Sequence, residues 1–124
     1  MEHRALFICS RNRLRSPTAK ALFANWPGVQ TDSAGLAADA EVVLCAEQIA
    51  WATVIFVMQR HHRAKLVRRF ARQLRDKRVL CLDIADNYQA MQPELIELLE
   101  LRAGSFLRTA SVQRCRRPDT ISEY

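Results

Sequence analysis

Short apolar runs alternate along the chain with segments whose apolar residues recur at helical spacing. The runs predict strands at 4–8, 53–57 and 79–82, and a short second strand is predicted at 29–33. The intervening and final segments predict helices at 16–26, 42–50, 59–75 and from 93 to a stop at Gly104. Strands that alternate with helices form a parallel sheet with helices on both faces. We therefore expect a three-layer α/β/α domain with a four-stranded parallel sheet.

Two loops, one turn and one methionine lie where these strands end. They are the loop 9–15, the turn 33–35, Met58 and the loop 83–88. In a parallel sheet the carboxyl ends of the strands meet at one edge, and ligands bind at that edge. The sequence therefore predicts a site where these segments converge.

Composition favours one packed domain. The chain has 124 residues, of which 49% are hydrophobic, enough for a single core and unlike a disordered protein. We assign 1–107 to the domain and expect 108–124, which is polar and unpatterned, to form a loosely held tail. The apolar runs are too short for a membrane helix, and residues 1–4 do not open a signal peptide. A cytoplasmic protein with no membrane partner is the expectation.

Cysteine spacing and net charge exclude few classes of function. The four cysteines, Cys9, Cys45, Cys81 and Cys115, include no closely spaced pair of the kind that holds structural zinc, so we expect reduced thiols and no metal. The net charge is +6, and 16 of the 19 basic residues are arginine. Arginine binds phosphate and carboxylate groups through two parallel hydrogen bonds. An anionic partner is therefore favoured.

The loop after the first strand carries the strongest chemical signal. It reads Cys9-Ser10-Arg11-Asn12-Arg13-Leu14-Arg15-Ser16-Pro17. A loop of this length, between a strand and a helix, can wrap once around a tetrahedral anion with its backbone N–H groups pointing inward. Arg15 would bind the same anion, and the positive field would favour the nucleophilic thiolate of Cys9. The Ser16 hydroxyl is placed to hydrogen-bond that thiolate, and Asn12 can hold the loop backbone.

The pattern Cys9-x-x-Asn12-x-x-Arg15-Ser16-Pro17 resembles the phosphate-binding loop of the low-molecular-weight protein tyrosine phosphatases. Three later segments resemble that family's motifs in the same order: 33–35, 55–58 and 86–88. The resemblance covers roughly residues 4–100. It implies the flavodoxin-like, phosphatase I topology. The thioredoxin-coupled arsenate reductases share that fold.

The resemblance implies a phosphomonoester hydrolase that acts on phosphotyrosine in a protein, or on a small phosphomonoester, and releases inorganic phosphate without a cofactor. Cys9 would attack phosphorus, Arg15 would bind the phosphate, and Asp86 would be the general acid. The substrate-binding residues would be Ser10, Arg11, Asn12, Arg13, Leu14, Ser16 and Tyr88. Asp83 is the rival acid, although its place directly after a strand favours a structural role. Tyr88 would either line the pocket or pack on the surface.

Three positions depart from the family pattern. Arg11 stands where the phosphatases usually have glycine, Leu14 replaces a second cysteine, and Asn87 replaces the proline of the acid loop. The chain is also shorter than typical members. Two alternatives stay open: a phosphate- or phosphopeptide-binding module without hydrolysis, and an arsenate reductase, which would need Cys45 and Cys81 as redox partners.

Nine basic residues lie between positions 59 and 79, and only Asp76 opposes them. A solvated helix face is the favoured interpretation, because no aromatic residues interleave for base stacking and a nucleic-acid partner is therefore not expected. Within this segment His61 and His62 point to different sides of a helix, so a metal site is not expected either.

Overall fold

The computed structural model describes residues 3–11, 15–85 and 87–112, with side chains of the last helix described as far as Arg108. Eight elements alternate along these residues. They are β1 (His3–Cys9), α1 (Arg15–Phe23), β2 (Val29–Gly35), α2 (Ala46–Trp51), β3 (Val54–Val57), α3 (Arg60–Phe70), β4 (Arg78–Cys81) and α4 (Pro93–Val112). The alternation confirms the α/β class predicted from the sequence.

The four strands form one sheet in the order β2-β1-β3-β4, and every neighbouring pair is parallel. Cys9 pairs with Gly35 on β2, Ile8 pairs with Val57 on β3, and Val57 pairs with Cys81 on β4. The strands therefore end level with one another. The loops that follow them meet at a single edge, as the sequence predicts.

Both faces of the sheet are covered, which explains why the central strands β1 and β3 carry continuous apolar runs rather than alternating ones. On one face Phe7 stacks on Phe23 of α1 and on Phe56 of β3, with ring centroids 5.7 and 5.2 Å apart. This cluster also takes in residues of α4. On the other face Ile8 and Ile55 belong to a cluster that includes residues of α2 and α3. Apolar burial of this kind supplies most of the stability of such a domain.

The expected helix stop at Gly104 is wrong, because α4 continues to Val112. Gly104 lies inside the helix against Trp26. A Cβ atom at this position would come within 2.9 Å of Cη2 of the Trp26 ring. The glycine therefore permits a close helix contact instead of ending the helix.

The second and third helices are shorter than predicted. Residues 42–45 are not helical, because the carbonyl of Val42 and the N–H of Leu44 both bond to Gly35 and hold this segment beside the end of β2. Helix α3 ends at Phe70, and residues 71–76 continue as turns. One helical hydrogen bond continues into these turns, from the N–H of Leu74 to the carbonyl of Phe70, and Leu74 is buried as the periodicity predicts.

Helix α4 runs past the expected domain boundary at residue 107, and residues 113–124 lie outside the described part of the chain. The division at that boundary stays a prediction. Among the described residues, no helix combines the length and the apolar character needed to cross a membrane.

Candidate active site

Cys9 is the last residue of β1 and is buried, with 3% of its surface exposed. The backbone that follows it is tied to the segment 36–41. The carbonyls of Cys9, Ser10 and Arg11 accept hydrogen bonds from the N–H groups of Leu36, Ala37 and Glu41, at 3.0, 2.8 and 3.1 Å. The side chain of Arg11 also lies 3.9 Å from that of Asp39, although both are exposed. The first part of the loop is therefore held at every residue.

Gly35 ends β2 and presses directly on this loop. A Cβ atom at Gly35 would lie 2.6 Å from the carbonyl oxygen of Ser10 and 2.6 Å from Cβ of Ala40. Real Cβ atoms do not come that close to other atoms, so only glycine fits here without a shift of the backbone. The turn at 33–35, which the sequence placed at this edge, thus shapes the loop by close approach.

Arg15 begins α1 and is also buried, with 3% exposure. Its Nη1 donates to Oε1 of Gln59 at 2.7 Å and to the carbonyl oxygen of Ile84 at 2.8 Å. One amino group therefore connects the start of α1 to the start of α3 and to the loop after β4. Two acceptors on one nitrogen fix the plane of the guanidinium group.

Ser16 is fully buried, and within the described residues its Oγ has no hydrogen-bond partner. The structure thus does not show the bond to the Cys9 thiol that the sequence suggests. A buried hydroxyl without a partner costs about 1–3 kcal/mol. A buried hydroxyl of this kind is typical of sites where a thiolate, an ion or a ligand supplies the missing partner.

His62 is a site residue that the sequence analysis missed. It is 1% exposed, and its Nε2 lies 3.0 Å from Oγ of Ser10, while its Nδ1 accepts the backbone N–H of Gln59 at 3.0 Å. Burial, together with the charges of His61, Arg15 and Lys65, lowers the pKa of His62 to about 3. The neighbouring His61 is exposed. The sequence did contain one signal. His62 lies three positions after Gln59, where the predicted helix begins, and a polar side chain at that position often caps the start of a helix.

Four predicted site residues lie outside the described part of the chain: Asn12, Arg13, Leu14 and Asp86. The loop that carries Asp86 is described on both sides of it. On the near side the N–H of Ile84 donates to the carbonyl of Met58 at 2.7 Å. On the far side Tyr88 is half-buried and packs against the core cluster of Phe7. The roles of Asp86 and Tyr88 stay predictions.

Asp83 is exposed and has a φ of 57°, a left-handed backbone conformation that is uncommon outside glycine. Its carbonyl oxygen and that of Leu82 both accept from Nη1 of Arg102, at 2.6 and 2.8 Å. At the other end of the loop, Met91 has a φ of 60°, and its N–H donates to Oγ1 of Thr18 at 3.0 Å. The backbone of this loop is therefore held at its two ends.

The remaining cysteines of the described residues form no disulfide. Cys45 is exposed, and Cys81 at the end of β4 is half-buried. Burial raises the pKa of the Cys81 thiol, so less of the reactive thiolate is present there at neutral pH. In the same described part of the chain, no group of histidine, cysteine and carboxylate side chains has the arrangement of a metal site.

Part of the basic segment 59–79 serves the fold. Arg69 donates to the carbonyl of Leu36 at 2.7 Å, and Lys77 donates to the carbonyls of Ala50 and Ala52 at 3.0 and 2.7 Å. The guanidinium of Arg78 lies over the ring of Phe106, 5.7 Å from its centroid. At least three of the nine basic residues thus make contacts within the fold, and the interpretation of the segment as a solvated helix face stays a prediction.

No protein-family model matches the chain. One curated relative does: the protein-arginine-phosphatase of Geobacillus stearothermophilus is 34% identical over an alignment of 94 residues, and the match covers 56% of this chain and 64% of the relative. The matched region thus spans slightly less than two thirds of the relative's length.

Solved structures match over nearly the whole chain. The YwlE arginine phosphatase from Geobacillus stearothermophilus superposes with a TM-score of 0.71 and 26% identity, covering 93% of this chain and 99% of that one. The tyrosine phosphatase Wzb from Escherichia coli K30, solved with phosphate, superposes with a TM-score of 0.71 and 19% identity over 88% of this chain and 99% of that one. These matches confirm the resemblance and the topology inferred from the motifs.

Proposed function

Since this chain has the fold and the motif order of the low-molecular-weight phosphatase family, we propose that it is a cysteine-dependent phosphatase of phosphorylated protein side chains. The observation that carries the proposal is the pair of buried residues at the two ends of one loop. Cys9 closes β1 and Arg15 opens α1, and each is 3% exposed. Hydrogen bonds to Gln59 and to the carbonyl oxygen of Ile84 hold the Arg15 guanidinium group in place, which favours anion binding without reorganisation.

In the first step of the proposed reaction the thiolate of Cys9 attacks phosphorus. The S–P bond forms as the bond to the leaving group breaks, and Asp86 gives its proton to the leaving atom. Arg15 and the loop N–H groups stabilise the three other phosphate oxygens. In the second step Asp86, now a carboxylate, takes a proton from water while that water attacks phosphorus. The S–P bond breaks, inorganic phosphate leaves and the thiolate is restored.

The first test is steady-state hydrolysis of p-nitrophenyl phosphate in the presence of a metal chelator. We expect turnover by the wild type and none by Cys9→Ser. Phosphate or vanadate binding without turnover would overturn the hydrolase and favour the phosphate-binding module. Thioredoxin-dependent turnover of arsenate would favour the reductase, which the raised pKa of Cys81 makes a poor fit.

The identity of the acid is tested by a matched pair of variants, Asp86→Asn and Asp83→Asn. Asparagine tolerates a positive φ as well as aspartate does, so Asp83→Asn removes the carboxyl group without disturbing the backbone at its φ of 57°. We expect kcat to fall about 10²–10⁴-fold in Asp86→Asn, the range typical of general acid catalysis, and to change little in Asp83→Asn. The reverse pattern would assign the acid to Asp83.

The leaving group is either the oxygen of phosphotyrosine or a guanidinium nitrogen of phosphoarginine. The family resemblance favours phosphotyrosine, and the name of the curated relative favours phosphoarginine. Two peptides of the same sequence, one with each phosphorylated residue, separate these substrates. A higher kcat/KM for one peptide assigns the class, and Cys9→Ser should abolish turnover of either.

A further inference from the structure

His62 makes two hydrogen bonds that reach different parts of the candidate site. It lies in the first turn of α3 and is 1% exposed, on a helix that is otherwise mostly exposed. One ring nitrogen faces Ser10, which directly follows Cys9, and the other faces the backbone of Gln59, whose side chain holds Arg15. A single imidazole therefore connects both ends of the loop 9–15.

The hydrogen bonds determine which ring nitrogen carries the proton. The backbone N–H of Gln59 can only donate, so Nδ1 of His62 must be the unprotonated acceptor. In the neutral ring the proton is then on Nε2, which donates to Oγ of Ser10 at 3.0 Å. The low pKa of His62 agrees with this, since the ring is neutral at pH 7. The hydroxyl hydrogen of Ser10 consequently points to an acceptor other than His62.

We propose that His62 is a positioning residue of the phosphate site, which orients Ser10 directly and Arg15 through Gln59. The proposal rests on the proposed function for its kinetic consequence, but it also predicts an effect on phosphate binding alone. A misplacement of about 1 Å in such a site can cost about 100-fold in rate. Neither His62 nor Gln59 needs to touch the substrate for this effect.

The competing explanation is that His62 only caps α3. A cap contributes to stability, and its loss would reduce the folded fraction without changing the properties of the folded protein. A positioning role would change kcat and the affinity for phosphate in protein that is fully folded. Measurements at a temperature well below the unfolding midpoint of each variant therefore separate the two.

Three substitutions of His62 remove its hydrogen bonds to Ser10 and to Gln59 separately or together. In His62→Asn the amide oxygen can replace Nδ1 and keep the bond to Gln59, but the side chain is too short for Ser10. In His62→Gln the amide nitrogen can replace Nε2 and keep the bond to Ser10. His62→Leu removes both. His61→Leu is the matched control, because His61 is exposed and its ring contacts that of His62 at a tilted angle, with centroids 4.2 Å apart.

The experiment measures kcat and KM for p-nitrophenyl phosphate and the dissociation constant of inorganic phosphate by NMR titration. We expect His62→Leu to lower kcat and weaken phosphate binding, each by about 10–100-fold, with partial rescue in His62→Asn and His62→Gln. His61→Leu should stay within about twofold of the wild type. If His62→Leu does not fold, the two amide variants decide the question by the same measurements.

Wild-type levels of kcat and phosphate affinity in the folded variants would overturn the proposal and leave His62 as a helix cap. Nitrogen NMR of the ring gives an independent check, since an Nδ1–H tautomer would also contradict it. If the wild type binds phosphate but hydrolyses nothing, the proposed function fails while the binding constants still judge the role of His62.

Discussion

The two sides of the candidate site are held in different ways. We call the loop start 9–11 with its neighbours Gly35, segment 36–41 and His62 the cradle side, and the segment 82–92 the acid-loop side. On the cradle side three consecutive carbonyls are bonded, one side chain is held by His62, and Gly35 packs without space for a methyl group. On the acid-loop side the described hydrogen bonds to the rest of the domain hold residues 82–84 and Met91, and Tyr88 between them packs against the core cluster of Phe7.

This difference corresponds to the two tasks in the proposed reaction. A phosphate group has one shape in every substrate, so a rigid cradle loses nothing and avoids reorganisation in the transition state. The leaving group varies, and a loop held at its ends can adjust to it. Backbone conformations with positive φ at Asp83 and Met91 lie near those ends.

The largest expected effect comes from breaking the cradle at Gly35. In Gly35→Ala the new Cβ would meet a backbone oxygen at 2.6 Å, so the loop itself must move. We expect a loss of about 3 kcal/mol in the free energy of unfolding and at least about tenfold weaker phosphate binding. Urea unfolding and phosphate titration measure both.

Gly104→Ala is the matched control for this variant. Its Cβ would meet the ring of Trp26 at 2.9 Å rather than the loop. It should therefore lower stability without changing phosphate affinity in the folded protein. Equal losses of affinity in both variants would mean that general destabilisation, and not the shape of the cradle, controls binding.

The residues on which the cradle depends differ in how well the sequence reveals them. The loop 9–15 could be predicted because a local pattern carries it: an apolar strand, a Cys and an Arg six positions apart, and a Ser-Pro helix start. His62 could not be predicted as a site residue, since its partner Ser10 lies 52 positions away and the adjacent His61 looks identical in the sequence. Contacts between distant segments leave no local pattern to detect.

Glycines show the same limit. Gly35 and Gly104 both follow apolar residues and both look like ends of elements, but only Gly35 ends one. What distinguishes them is the neighbour that each must accommodate, the loop backbone in one case and Trp26 in the other. Element type and order follow from hydrophobic periodicity, whereas the boundaries of α2, α3 and α4 depend on tertiary contacts that override it.

The second prediction concerns low pH, which should lower the stability of the protein by protonating His62. The ordinary histidine pKa is 6.5, and in the folded protein that of His62 is about 3. Between these values the unfolded chain binds more protons, so stability is lost as the pH falls below about 6.5. From pH 7 to pH 5 this one residue should cost about 2 kcal/mol.

Urea unfolding of the wild type and His62→Gln at the two pH values measures this contribution. The wild type should lose about 2 kcal/mol more than the variant on acidification. The comparison also removes the contribution of His3, whose pKa is lowered by burial as well and which both proteins retain. Parallel losses would show that His62 is protonated without cost, and thus that its ring is not held as a neutral acceptor.

The third prediction concerns the acid-loop side. Arg102→Met removes the donor to the carbonyls of Leu82 and Asp83 while keeping an apolar stem. Because the arginine is largely exposed, we expect a loss of about 1 kcal/mol in stability. A looser acid loop should lower kcat a few-fold, chiefly for substrates with poor leaving groups that need protonation, and leave phosphate affinity unchanged.

Arg72→Met, which removes an exposed arginine after α3, controls for the change in net charge. Kinetics with a series of aryl phosphates gives the dependence on the leaving group. If Arg102→Met weakens phosphate binding as much as it lowers kcat, the two sides of the site are mechanically coupled and the division between them fails.

The smallest effect is expected at Met91, where the chain can be stabilised. Met91 is 51% exposed and has a φ of 60°, so its side chain contributes little packing while its backbone is strained. Met91→Gly relieves the strain and keeps the N–H that donates to Thr18, although glycine raises the entropy of the unfolded chain and so offsets part of the gain. The net gain should be about 0.5–1 kcal/mol, seen as a rise of about 2–4 °C in Tm.

Met91→Ala removes the same side chain without relieving the strain and should gain nothing. Since Met91 lies at one end of the acid-loop side and not in the cradle, both substitutions should leave phosphate affinity unchanged. A gain in Met91→Ala equal to that in Met91→Gly would mean that the methionine side chain, rather than its φ, is the source of strain.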